Sequence, residues 1–489
     1  MSAVRGPAGR VFAVALALRL VAVLAGRGLG IGLDDMFQYD MLARSLAAGQ
    51  GYRWYAAKDV ALIQRYLDFD PTTHPAYDPR GLPTSFRAPL YPAFLAVWYR
   101  LAGLEQRWFA ARLAQAVLGA LVAPLTWALA RALMPDRPRA ATAAALIVAA
   151  YPMLVLLPLA LATENLFLPL SLALLVLLVR GPRPGREVRW AVVAAGLLGL
   201  AMLTRSVAAV FAPLVLARAV WGPGGRGSAN GRARRWKALL AAGLVLTVML
   251  TPWLVRNARL HGHWVWLETS GGYNLYVGAH PDGDGTFYPP AAQELLYIVD
   301  DAERDALARQ RAWEFIRAAG PGEFLRRVGR RLQAFYGLEY RVFMYLYSNG
   351  VLGVWPRPVL VGVLLLWLMP FPVLLLFAVR TWAHFRRGPG WGWAIAYLLA
   401  YTLPHAFILA DARMHLALVP FIATAAVWTV AYRDQWRAVE ATPQGRWKAW
   451  AGRAAQAGLL LFWGLDVWAH HERWRILLGP HGHEAHFDY

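Results

Sequence analysis

The sequence predicts an all-α polytopic membrane protein with about 11 transmembrane helices (range 11–13) and interfacial helices in its first outer loop. Two observations carry this. Of 489 residues, 58% are hydrophobic and 23 are Trp, more than a soluble domain of this size carries. Apolar runs near the roughly 20 residues that cross a hydrocarbon core also recur from end to end. They include "VFAVALALRLVAVLAG", "LFLPLSLALLVLLV", "LLAAGLVLTVMLTPWLV" and "VLVGVLLLWLMPFPVLLLFAV". No small-residue cleavage site follows the first run, which therefore reads as a retained helix and not a signal peptide.

The expected spans are 11–29, 109–133, 138–158, 164–180, 190–204, 206–221, 238–254, 357–379, 391–409, 414–432 and 454–470. One further segment, "PLYPAFLAVWYRLAGL" (89–104), is short, proline-containing and holds Arg100. Charge decides its status. If it does not span, alternate connections carry clusters such as Arg131, Arg137 and Arg139, or Arg380, Arg386 and Arg387, and become cytoplasmic. The opposite short connections then hold only Arg205 and Arg413. Residues 86–104 are therefore expected to form an interfacial or re-entrant helix on the outer face, with the N-terminus inside and the C-terminus outside. This gives a membrane module over 1–254 that includes outer loop 30–108, an outer segment over 255–356, and C-terminal spans with a His-rich tail over 357–489. The low-complexity stretch "GPGGRGSANGRARR" (222–235) reads as a cytoplasmic linker.

The formal charge of +21 is spread over short loops, where Lys and Arg act as orientation signals and lipid anchors. No basic stripe with interleaved aromatics points to nucleic acid. With no cysteine, disulfides, a thiolate nucleophile and Cys-ligated metal are excluded. The spans are nearly free of ionisable residues; Arg19 is the exception, and snorkelling toward the cytoplasm is its expected resting place. Without midplane acids or a matched pair of broken helices, an ion-coupled transporter is disfavoured.

Polar residues collect instead on the outer face. Asp34 and Asp35 follow the first span, and Arg87 begins the interfacial segment. Glu164 lies at the mouth between the third and fourth spans, and Arg205 in the tight turn between the fifth and sixth. Asp411, Arg413 and His415 mark the turn between the ninth and tenth. A carboxylate can deprotonate an acceptor while arginines, with their planar donor fork, stabilise a phosphate leaving group. A sugar joined through phosphate to a membrane lipid supplies both needs where nucleotide donors are lacking.

The stretches "GLDDMFQYDMLARSLAAGQGY", "FRAPLYPAFLAVWYRLAGLEQRWFAARLAQAVLGAL", "LALATENLF", "AMLTRSVAAVFAPLVLA" and "TPWLVRNARLHGHWVWLETSGGYNLYVGAHPDGDGTF" resemble, in order, bacterial GT-C glycosyltransferases of the protein O-mannosyltransferase and lipid A aminoarabinose transferase group. The resemblance covers about residues 10–290. It implies a GT-C fold, a polyprenyl-phosphate-sugar donor, inverting transfer of a hexose or pentose, and a site at the outer face of the bacterial inner membrane. It places the general base on Asp34, with Asp35 second, and an orienting acid on Glu164. Arg87 and Arg205 fall on its donor-phosphate positions. In the lipid A enzyme an acid that can hold a metal precedes the Arg87 position; Phe86 stands there in this chain, so a divalent cation is left open.

Tyr52, Tyr91, Tyr273, Asn274, Tyr276 and Arg413 are expected to line the sugar or acceptor pocket, with "GGYNLYVGAHPDGDGTF" (271–287) as a loop that caps it. The charged stretch after it suits a surface helix pair, and the histidines between His470 and His486 suggest a weak metal site. The acceptor is open: a lipid, a glycan or a protein. A flippase or other transporter of lipid-linked sugars is the alternative reading, and a non-catalytic binder of polyprenyl lipids the third.

Overall fold

The computed structural model describes residues 6–32, 34–64, 69–221, 229–348, 352–380, 382–384 and 389–485. All eleven apolar segments are helical within it. Among the described residues five helices are long and apolar enough to cross a membrane: Pro7–Ala25, Arg107–Leu133, Glu187–Thr204, Gly231–His261 and Arg357–Arg380. A sixth candidate is a bent pair of helices. Pro138–Ala149 and Pro152–Leu159 meet at 57°, because Pro152 has no amide N–H to continue the helix. Segments 206–221 and 414–432 both open as 3-10 turns, Ser206–Phe211 and Ala412–Ala417, before Ala212–Val220 and Val419–Ala431. Linker residues 222–228, with Arg226, and residues 385–388, with Arg386 and Arg387, lie outside the described residues, as does His486.

The arbitrated segment forms the helix Leu90–Ala102, 13 residues long. At 1.5 Å per residue it covers about 20 Å, too short for a core of roughly 30 Å. Its buried face, Tyr91, Leu95, Ala96 and Tyr99, packs with Tyr39 and Ala43 of the helix Asp35–Ala47. A buried carboxylate joins the two. Asp40 Oδ1 accepts from Tyr99 Oη (2.9 Å), Arg107 Nε (2.9 Å) and Trp108 Nε1 (2.8 Å), and Oδ2 from Arg44 Nε (2.7 Å).

Arg19 does not snorkel. Its side chain is buried, and Nη1 donates to Ala15 O (3.0 Å) and Ala149 O (3.1 Å). The reason is local. The last carbonyls of a helix lack intrahelical donors, and the break after Ala149 leaves such a carbonyl facing the first span, where Gly119 leaves room for the guanidinium.

The helix Ala229–His261 has 33 residues, about 50 Å, and outruns the hydrocarbon core. Its last turns carry Arg256, Asn257 and His261 into the segment 255–356. There Trp253, Tyr273 and Val299 close a core around Tyr52, Trp54, Tyr55 and Phe86. The expected surface helix pair is Asp301–Phe335, broken at Gly320 (φ 74°) ahead of Pro321. The expected cap loop differs: its first part is the helix Gly271–Ala279. Two of its glycines serve contact, not bending. A Cβ on Gly272 would stand 2.2 Å from Asp305 O, and one on Gly278 2.1 Å from Ile408 O.

Candidate active site

The site begins where the first span ends. Asp34 caps the helix Asp35–Ala47, its Oδ1 accepting from Met36 N at 2.9 Å, as short acidic side chains do at helix N-termini. The cap turns the next side chain inward. Asp35 Oδ1 accepts from Arg87 Nη2, and Oδ2 from Arg413 Nη2 at 3.0 Å. Burial acts to raise the Asp35 carboxyl, but Arg87 and Arg413 outweigh it and hold the group well below the usual carboxylate range. Asp34 behaves oppositely. Its side chain is exposed, yet the surrounding protein desolvates it and pushes its pKa up against the Met36 hydrogen bond. Two adjacent aspartates thus differ in kind: one is pinned and ionised, the other has a free oxygen.

Arg87 is fixed from three sides. Its Nε and Nη2 donate to Gln38 Oε1 at 2.9 and 2.7 Å, its guanidinium lies over the Tyr39 and Phe86 rings, and its backbone carbonyl accepts from Tyr52 Oη at 2.9 Å. Glu268 braces the next residue, accepting from Ala88 N at 3.2 Å and from Ser206 Oγ. Ser206 neighbours Arg205, whose Nη1 donates to Glu164 Oε1 at 2.6 Å and Thr163 Oγ1 at 3.3 Å. Asp411 holds the turn carrying Arg413: Oδ1 accepts from Arg413 N at 3.0 Å and Oδ2 from Arg341 Nη1 at 2.9 Å. Burial alone would lower the Arg413 pKa, but Asp35, Glu164 and Asp411 raise it above its ordinary value.

Asp34, Asp35, Arg87, Glu164, Arg205 and Arg413 therefore form one cluster of three acids and three arginines, drawn from five separate stretches of chain. Arg87 Nη1, Arg205 Nη2 and Arg413 Nη1 carry no hydrogen bond to protein among the described residues, which leaves donors for an anion.

The tyrosines lie elsewhere. Tyr52 is buried and supports Arg87 through the backbone. Tyr91 is fully buried, its hydroxyl donating to Gln115 Oε1 at 2.6 Å. Tyr276 is buried against Phe315 and His280 with its hydroxyl on Glu294. Tyr273 comes nearest, its ring edge-on to Phe86, but its hydroxyl is held by Ala292 O at 2.5 Å. Asn274 is half-buried on the helix Gly271–Ala279, without a side-chain bond to the cluster. His415 is fully buried, stacked on Phe371 and bonded to Glu339 Oε1 at 2.8 Å. Gln38, Glu268 and Ser206 were not anticipated. Gln38 had a signal, since it lies one turn from Asp35 on the same helical face; Glu268 and Ser206 had none.

One trio among the described residues could hold a metal. Ligand atoms of His261, Asp300 and Asp301 lie within 4.8 Å of one another. Asp301 Oδ2 already accepts from Thr84 Oγ1 (2.7 Å), Ser85 N (2.6 Å) and Thr269 Oγ1 (2.9 Å), which ties the trio to the strand leading to Arg87. Its remaining N and O donors suit a divalent cation. The tail histidines instead pair with Asp466, Glu472 and Glu484.

Residues 86–255 match the family model described as dolichyl-phosphate-mannose-protein mannosyltransferase. That stretch is similar to this family and is about a third of the chain. The match bears out the resemblance read from the sequence and includes Arg87, Glu164 and Arg205, while starting after the aspartate pair. No curated protein matches the chain. Among solved structures, the apo oligosaccharyltransferase of Archaeoglobus fulgidus is similar at 15% identity over 97% of this chain and 58% of its own, with a TM-score of 0.48. The same enzyme with Zn and sulfate gives 15% identity, 92% and 53% coverage, and 0.47. ArnT from Cupriavidus metallidurans bound to undecaprenyl phosphate gives 18%, 88% and 80%, and 0.38. The chain spans between 53% and 58% of the length of the archaeal enzyme in these two comparisons.

Proposed function

We propose that the protein is a membrane glycosyltransferase. It takes a hexose or pentose from a polyprenyl-phosphate donor and transfers it, with inversion, to a lipid, glycan or protein acceptor at the periplasmic face of a bacterial inner membrane. The observation that carries this reading is the division of labour between the two aspartates: Asp35 is clamped by Arg87 and Arg413, while Asp34 beside it keeps a free, solvent-reachable oxygen.

In this reading Asp34 accepts the proton of the acceptor hydroxyl. The acceptor oxygen bonds to the anomeric carbon as the bond from that carbon to the phosphate oxygen breaks, and the electron pair leaves with the phosphate. Arg87, Arg205 and Arg413 meet the charge that grows there. Removing one preorganised donor of this kind typically costs about 2.7–4 kcal/mol of transition-state stabilisation. Glu164 keeps Arg205 aimed into the cluster. The family match over residues 86–255 supports the donor class. His261, Asp300 and Asp301 would hold a divalent cation, adding positive charge behind Arg87.

The test is transfer from a panel of short-chain polyprenyl-phosphate sugars by purified protein and by Asp34→Asn. Product or donor hydrolysis with the wild type, lost at least a hundredfold in Asp34→Asn, is expected. Equal rates in both would remove Asp34 as the base, and transbilayer movement of the donor without a new glycosidic bond would replace the enzyme with a flippase.

A further inference from the structure

Among the described residues of the segment 255–356, three arginines are buried. Two of them are wrapped in acceptors. Arg331 donates from Nε to Gly285 O (2.9 Å), from Nη1 to Phe407 O (3.1 Å) and from Nη2 to Gly278 O (2.5 Å). Arg327 pairs with Glu323 at 2.7 Å and donates to Ala279 O, His280 O and Pro281 O. Arg304, 2% exposed, differs. Its Nη1 reaches Ile298 O at 3.1 Å, while Nε and Nη2 are enclosed with no acceptor among the described residues. The acids of its own turn are committed elsewhere. Asp300 caps Ala302 N and Glu303 N, Asp301 takes Thr84, Ser85 and Thr269, and Asp305 takes Gly272 N, Tyr273 N and Arg309.

This placement is costly for the fold. A buried charge without a partner is destabilising. Arg304 also stands in the first turn of the helix Asp301–Phe335, where the helix dipole disfavours a cation. The rings of Phe86 and Trp54, 4.9 and 5.8 Å from the guanidinium, offset part of this. Phe86 is also the ring under Arg87, at 5.0 Å, so the two guanidinium carbons stand at most about 10 Å apart, the sum of those two distances. Trp54 and Tyr273 pack on Phe86, itself buried, so little water screens one cation from the other. The register is fixed by Asp301, whose bonds to Thr84 and Ser85 pin the helix start to the strand that leads to Phe86 and Arg87.

The cluster itself has no net charge to offer: with all six groups ionised, Asp34, Asp35 and Glu164 balance Arg87, Arg205 and Arg413. A cation beside it without a counter-charge therefore decides the sign of the field that an incoming anion meets. We propose that Arg304 is a positioning residue for an anionic group, a phosphate, bound at Arg87: it touches nothing that reacts, and it draws the anion in through the Phe86 ring. The identity of that phosphate as the donor's rests on the glycosyltransferase reading; the role of Arg304 does not.

The test uses full-length protein in detergent. A short-chain polyprenyl phosphate, the corresponding polyprenol and inorganic phosphate are titrated by calorimetry, and the thermal midpoint is followed by tryptophan fluorescence. Arg304→Met and Arg304→Gln should each lose at least about threefold in affinity for both phosphates, the order expected of one unit charge at this range. Affinity for the polyprenol should not change. Arg304→Met should keep or raise the midpoint, because an apolar side chain of similar volume replaces an unpaired charge. A purely structural cation predicts the reverse, a lowered midpoint with phosphate affinity intact. A lowered midpoint or failure to fold in Arg304→Met, unchanged phosphate affinity in both variants, or equal losses for polyprenol and its phosphate would each overturn the proposal. Wild type that binds inorganic phosphate in an Arg304-dependent way but not polyprenyl phosphate would remove the donor reading and leave this inference standing. Wild type that binds neither would overturn both.

Discussion

Asp40 offers the clearest link between packing and site, because it ties the helix Asp35–Ala47, which starts at the aspartate pair, to the helix that follows Arg87. Replacing it with Asn keeps the shape and removes the charge. Oδ1 still faces Tyr99, Arg107 and Trp108, but the new amide presents N–H groups to Arg44 Nε, donor against donor. Two charge-assisted bonds are weakened or lost, each worth about 1.5–3 kcal/mol. Arg44 retains Asp59 at 2.6 Å, and both arginines are about one-fifth exposed and recover some hydration, so the sum is discounted to about 2–4 kcal/mol. At about 1.4 kcal/mol per tenfold, that is roughly a 30- to 700-fold rise in local opening. Amide hydrogen exchange of residues 90–102, compared with 122–133 in the same sample, reads it directly. A change below threefold in Asp40→Asn would refute the view that this carboxylate holds the outer helices together.

The remaining predictions concern titration, pairing and packing. The acid limb of the pH–rate profile should lie above the ordinary aspartate range, because desolvation raises Asp34; Asp35→Asn should move that limb to lower pH, since the Asp35 charge is one of the groups raising it. Asp35, with its folded pKa depressed, stabilises the fold above its unfolded value of about 3.9 and loses that contribution only as pH falls through the folded value. Wild type should therefore lose stability more steeply below about pH 4 than Asp35→Asn does, as followed by tryptophan fluorescence on acid titration. Gly278→Ala should be among the most damaging small substitutions, because its Cβ would meet a backbone carbonyl; a thermal midpoint within 2 °C of wild type, about 1 kcal/mol or less, would count against this packing.

What the sequence disclosed follows from what membrane insertion demands of it. Spans must be apolar, so the eleven apolar segments, all helical in the structure, were visible as composition, and loop arginines guided the reading of residues 86–104. Convergence of Asp34, Arg87, Glu164 and Arg205 followed from counting crossings. Pairing did not. Arg413 was expected to line the substrate pocket, and its bond to Asp35 was not foreseen, because the partner of a charge depends on rotamers and on how the turn at Asp411 is capped. The contacts of the tyrosines were not legible for a related reason: a ring near a polar motif can brace it or meet a sugar, and the sequence does not say whether its hydroxyl finds a protein acceptor, as those of Tyr52, Tyr91, Tyr273 and Tyr276 do. Arg19 broke the snorkelling rule only because Pro152 had opened a helix nearby, a coupling between positions that no local pattern reveals.

That coupling also orders events in time. The first helix emerges from the ribosome with a cation near its middle, at a cost of roughly 2.5–3.5 kcal/mol for insertion at the bilayer centre. The carbonyl that receives this cation belongs to Ala149, 130 residues later. At about 5–20 residues per second, the partner appears some 7–26 s afterwards. Until then water, lipid headgroups or the insertion machinery must shelter Arg19, so the helix Pro7–Ala25 is expected to reach its final depth only once the bent segment 138–159 arrives to receive it.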